Sequence, residues 1–239
     1  MTILSCIQDA CDRLGIVRPS SVIGSSDQQI RQLLGLAQQE GKELARRHNW
    51  QLLTVEKTFT SIAAETQTGV IPADFDRGLN DTFYNRTSVR PVQGPLDPVE
   101  WQSYKASLTP LVFDAFRIRG GALLLAPTPS AGVSYAYEYV STYWVAVAAA
   151  TTTLAKASWT IDTDVGILSE ELMTDGVVWR FLRAKGLDYA EAFRTYEAQV
   201  MLAMARDGGK RKVNMVGSMS GARNRPRYPN YPDGSWPVS

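Results

Sequence analysis

The chain has 239 residues, 44% hydrophobic and 21% charged, enough for a core that needs no disulfide or metal staple. Its longest apolar stretch, Trp144 to Ala150, is too short to span a bilayer, and Met1 to Ser5 lacks the basic start and apolar run of a secretory signal, so folding in a cytoplasm is expected. The net charge of +1 is uneven: residues 208–239 carry +5, which leaves −4 on the first 207.

Leu4, Ile7, Cys11 and Leu14 recur at helical spacing before Gly15 and predict a helix over 2–14. Cys6 and Cys11 fall on different sides of it, so they are expected to be unbonded, small buried groups. Ser26-Asp27-Gln28-Gln29 reads as a capping box. It opens a long helix with Ile30, Leu33, Leu34, Ala37, Leu44 and Ala45 on its apolar spacing, ending near Trp50.

The period changes at Gln51. Leu53, Val55 and Phe59 alternate with polar residues as in a half-buried strand, and Thr82–Tyr84 and Ser88–Val92 predict short strands. Asp97-Pro98-Val99-Glu100 opens a brief helix through Tyr104. Phe113–Arg119, Gly120-Gly121 and Leu123–Ala126 form a hairpin pattern, because paired glycines reach the positive φ angles of a tight turn. Val133–Val145 places Tyr135, Tyr137 and Tyr139 on one face, and the Ala- and Thr-rich run from Ala146 to Asp164 fits either an extended arm or another hairpin.

A helix is predicted from Ser169 to Lys185, with Gly186 as its stop. Asp188-Tyr189-Ala190-Glu191 reads as a second capping box. It starts a helix with Tyr189, Phe193, Tyr196, Val200 and Ala203 along one side, antiparallel to its predecessor and ending at Gly208-Gly209. The expected fold class is α+β. Residues 1–50 and 166–209 supply N- and C-terminal helix pairs to a helical bundle, 51–165 form a β-rich insertion, and 210–239 form an extended tail.

Little in the sequence points to catalysis. His48 is the single histidine, so a Ser-His-Asp or Cys-His arrangement has to use it, and no Gly-x-Ser-x-Gly elbow is present. One histidine and two thiols make no histidine-based metal centre, and no phosphate-binding glycine loop precedes a helix. Asp162-Thr163-Asp164 is readable as a cation pair or the core of a hydrolase, but its place ahead of a predicted helix favours a role at the positive helix end. The expectation is a non-enzyme without metal or cofactor. Trp50, Trp101, Trp144, Trp159 and Trp179 fall in or beside predicted elements and are assigned to the core.

The tail has its own chemistry. Lys210, Arg211, Lys212, Arg223, Arg225 and Arg227 stand with Tyr228, Tyr231 and Trp236 among glycine, serine and proline, a composition that is disordered alone or ordered on a partner. Arginine and aromatics are enriched at protein interfaces, so these nine residues are the candidate partner-binding site. A DNA-binding accessory protein that uses the same basic tail is the alternative.

Arg46-Arg47-His48-Asn49-Trp50 before an alternating strand, then Thr68-Gly69-Val70-Ile71-Pro72-Ala73-Asp74-Phe75, resembles the helix-to-β junction of the head-to-tail adaptor proteins of tailed phages, also called connectors or tail accessory proteins. The run Tyr139 to Val145, Trp159, Asp162 to Asp164, Trp179-Arg180, Lys185 to Glu191 and the ending Ala205-Arg206-Asp207-Gly208-Gly209 is similar to the second half of these adaptors. The resemblance covers most of residues 1–209 and implies a virion structural protein at the head–tail joint, made in the host cytoplasm. It implies a homo-oligomeric ring, most often of twelve copies, docked beneath the portal protein and joined to a tail or nozzle protein. Genomic DNA would pass through the channel without sequence-specific contact, and no membrane would be involved. In this family the carboxy-terminal segment commonly extends along the portal, which implies portal binding for the nine tail residues.

Overall fold

A computed structural model describes residues 2–106, 114–147 and 154–208; the nine tail residues and the stretch 148–153 lie outside them. The elements in chain order are α1 (Ile3–Leu14), α2 (Gln28–Arg47), β1 (Thr54–Thr60), β2 (Thr66–Gln67), β3 (Phe75–Gly78), β4 (Tyr84–Asn85), β5 (Arg90–Pro91) and α3 (Pro98–Ala106). There follow β6 (Ala115–Arg119), β7 (Ala122–Ala126), β8 (Ser134–Ser141), β9 (Val145–Ala146), β10 (Leu154–Lys156), β11 (Val165–Gly166), α4 (Glu170–Ala184) and α5 (Ala190–Arg206). The fold is α+β, and β2–β7, β3–β8, β4–β5, β4–β8, β6–β7, β9–β10 and β9–β11 are antiparallel pairs.

The chain divides into two compact units. One gathers described residues of Met1–Lys57, Ile71–Leu79 and Tyr137–Gly209; the other gathers those of Thr58–Val70 and Asn80–Ala136.

In the first unit α4 packs against α1, α2 and α5. The apolar spacing read from the sequence becomes the core: Ile3, Cys6, Ile7, Ala10 and Cys11 from α1, then Ile30, Leu33, Ala37, Leu44 and Ala45 from α2. Leu172, Met173, Val177, Trp179 and Phe181 of α4 join them, with Trp50, Trp144 and Trp159 from between the helices and Tyr196 and Val200 of α5. Both cysteines are free and buried, and burial pushes the Cys6 thiol up to about 12. Two helix-interior glycines allow close packing, Gly41 of α2 against an indole from the β8–β9 loop and Gly176 of α4 against α2. A Cβ on Gly41 would overlap the Trp144 ring, and one on Gly176 would overlap the Glu40 side chain.

The caps differ in part from expectation. Asp27, not Ser26, caps α2 by accepting from the Gln29 amide at 2.7 Å, and a carboxylate suits the positive helix end better than a hydroxyl. At α5 the box is incomplete: Asp188 accepts from the Ala190 amide at 3.1 Å, while Tyr189 stands at the cap position without a side-chain bond.

Asp162 and Asp164 do not cap α4, which starts later, at Glu170. Each staples a loop. Asp162 accepts from the Ser21 hydroxyl at 2.6 Å and from the Val22 and Ile23 amides, which ties the α1–α2 loop to this segment. Asp164, fully buried, accepts from Lys156 Nζ at 2.8 Å, from the Thr160 hydroxyl and from the Thr160 and Ile161 amides. Burial by itself would raise both carboxyls, but these donors outweigh it and hold both below the usual carboxylate range. β9 lies between β10 and β11 in a small sheet beside them.

The second unit is built on the β6–β7 hairpin, whose turn residues Gly120 and Gly121 take φ of 59° and 74°. β2 joins β7, and β4 pairs with β5 and with Tyr135–Ala136 of β8. Phe59, Phe83, Phe116 and Tyr135 form a ring cluster with centroids 4.7–6.1 Å apart. Trp101 of α3 packs with Leu124 and Ala126 of β7 in a satellite core.

Candidate assembly surfaces

A buried polar node joins three helices of the first unit. Glu40 of α2 is 0% exposed and sits on the apolar stripe between Ala37 and Leu44. It accepts from Arg180 Nε of α4 at 2.6 Å and from the Tyr196 hydroxyl of α5. Arg180 reaches Glu43 as well, at 2.8 Å, and its guanidinium lies 4.5 Å over the Trp179 ring. Burial works against the Arg180 charge, but Glu40 and Glu43 outweigh it and raise its pKa; burial and the Glu40 charge together raise that of Tyr196. A buried pair of this kind fixes helix register, because any slip leaves a charge without a partner. The signal for it was an acid at i+3 from Ala37 and i−4 from Leu44, inside an otherwise apolar stripe.

His48 closes α2 near the end of α5, with Nε2 3.3 Å from Asp207 and its ring 5.1 Å from that of Trp50. That is a helix-end contact. Among the described residues no three or more histidine, cysteine, aspartate or glutamate side chains gather as a metal site, and no described helix is long and apolar enough to cross a membrane.

α5 presents an open apolar surface among the described residues. Eleven of its 17 residues are apolar, yet only Tyr196 and Val200 are buried. Ala192, Ala203 and Met204 pack partly on the core beside them. The opposite side carries Ala198, Met201, Leu202 and Ala205, all exposed; Met201 is 66% exposed and Leu202 49%. An open groove of about 360 Å³ runs along it and reaches Arg194 and Gln199. Near its start Phe193 packs edge-on to Trp179 at 5.0 Å, with Tyr189 and Leu187 also exposed. Apolar side chains that adjoin on the solvent side of a helix mark a contact surface more often than scattered ones do.

The sequence matches no protein-family model and no curated protein. Of the candidate residues, Lys210, Arg211, Lys212, Arg223, Arg225, Arg227, Tyr228, Tyr231 and Trp236 all fall outside the described residues. The structure instead draws attention to the outer face of α5, opposite the side on which the sequence aligns Tyr189, Phe193, Tyr196, Val200 and Ala203.

Proposed function

We propose that this chain is a structural subunit of a phage head-to-tail joint, a ring adaptor between a portal protein and a tail or nozzle protein, with DNA threading its channel. The observation that carries this reading is the uncovered apolar side of α5. Contiguous exposed apolar area marks an interaction site, and a ring supplies one from the neighbouring copy. The helical unit, held in register by Glu40 and Arg180, is the rigid body of the ring, and the β-rich unit meets the tail.

The basic, aromatic tail extends this design. Residues 210–239 would order along the portal, with Tyr228, Tyr231 and Trp236 buried and Arg223, Arg225 and Arg227 paired to acidic portal surface. Repetition around the ring makes release slow, since each engaged arm raises the effective concentration of the next.

Mass measurement of the full chain, alone and mixed with its portal, tests the reading. A ring, twelve copies by the resemblance, is expected on the portal, and Met201→Glu with Leu202→Glu is expected to yield a folded monomer. A chain that stays monomeric beside the portal, or is missing from the joint of assembled particles, overturns it.

A further inference from the structure

Three glycines lie inside the long helices of the first unit, and only two have an internal reason. Gly41 and Gly176 stand where a side chain would collide with Trp144 and Glu40. Gly35, in the middle of α2, has no described residue outside its own stretch of helix within 4 Å of where its Cβ would be. A glycine in a helix interior is destabilising relative to alanine, so an exposed one with open space around it points outward, to close approach by something other than the described residues.

What lies beside Gly35 names the partner. At 100° per residue, Gln28, Arg31, Gly35, Gln39, Lys42 and Arg46 form one line within 40° of Gly35, and all six are exposed. The line holds three cations, two amides and a glycine, with no acidic and no apolar residue. Arg31, Lys42 and Arg46 form no ion pair among the described residues. The flanking acids are otherwise engaged: Asp27 caps the helix and Glu43 binds Arg180. From Gln28 to Arg46 the line runs about 27 Å, on a body whose net charge is negative.

We infer that this stripe of α2 is a phosphate-tracking surface for duplex DNA, contacting the backbone without reading sequence, with Gly35 as the point of closest approach. A protein partner is disfavoured because interface centres are built on apolar and aromatic anchors, which the stripe lacks. Straight-line cations with amide donors match a sugar–phosphate backbone, whose interfaces are more polar and more positive. The inference rests on the adaptor reading only for the source of the duplex, the genome in the channel.

The test is fluorescence anisotropy of the full chain with a labelled 30-base-pair duplex of arbitrary sequence, from 50 to 200 mM salt. Arg31→Gln with Lys42→Gln and Arg46→Gln is compared with Arg223→Gln plus Arg225→Gln plus Arg227→Gln. Loss of three phosphate contacts is expected to make the log–log salt dependence shallower by about 2–3 in the stripe variant. Gly35→Ala is expected to raise Tm by roughly 2–4 °C and yet weaken binding, a split that a purely structural glycine cannot give. Wild-type binding that is absent, or lost only in the tail variant, overturns the inference. So does a stripe variant that binds DNA normally but changes mass in solution, which assigns the stripe to a neighbouring copy. None of these outcomes touches portal docking, whose failure is read separately by mass.

Discussion

α4 and α5 are consecutive helices of similar composition, and they meet opposite fates. α4 is packed by α1, α2 and α5, and of its residues from Leu172 to Phe181 only Asp175 and Val178 are not buried. α5 packs on α4 and leaves Met201, Leu202 and Phe193 open. Apolar content alone does not separate them. Coverage does, and the helix with uncovered apolar residues is the one available to another molecule.

The strongest way to break the comparison is to attack the covered side. Glu40→Ala leaves Arg180 buried without its main partner and removes the acceptor of the Tyr196 hydroxyl. Loss of one member of a buried pair costs about 3–5 kcal/mol, read as a fall in urea midpoint at unchanged m-value. A loss below about 1 kcal/mol would mean that the node is not buried in solution.

A sharper version uses steric contrast. Gly176→Ala pushes a methyl into Glu40 at the α2–α4 crossing and is expected to cost about 1–3 kcal/mol. Ala198→Leu adds more volume on the outer side of α5 and is expected to stay within about 0.5 kcal/mol of wild type by the same measurement. Equal effects would erase the distinction between the two helices.

How far the sequence foretold this depends on the range of each interaction. Helix positions, the hairpin at Gly120-Gly121 and the burial of Trp50, Trp101, Trp144, Trp159 and Trp179 were legible, since periodicity and turn chemistry act locally. The roles of Asp162 and Asp164 were not: the partners of Asp162, Ser21 to Ile23, lie about 140 residues away, and a short carboxylate before a helix looks the same whether it caps or staples. The role of Glu40 is hidden in the sequence for a related reason. An acid on an apolar stripe makes sense only once Arg180 is opposite it, and nothing local announces that. The stripe around Gly35 is present in the sequence, but it becomes readable only when the structure shows that none of the described residues fills the space beside that glycine.

The remaining expected effect is on pH dependence, and it belongs to the covered side. Asp162 and Asp164 are held below their ordinary values in the folded protein. A lowered folded pKa contributes stability that is complete above the unfolded carboxylate value, about 3.9, and is lost as pH falls through the lower folded value. Acid should therefore loosen the staple between the α1–α2 loop and the segment before α4, with no corresponding change in the outer face of α5. Urea midpoints measured between about pH 6 and pH 2 should fall more steeply for the wild type than for Asp162→Asn with Asp164→Asn, which retains an acceptor oxygen at each site but no titrating charge. Parallel curves would show that the two carboxylates are as comfortable unfolded as folded, and that the donors around them do not hold the loop.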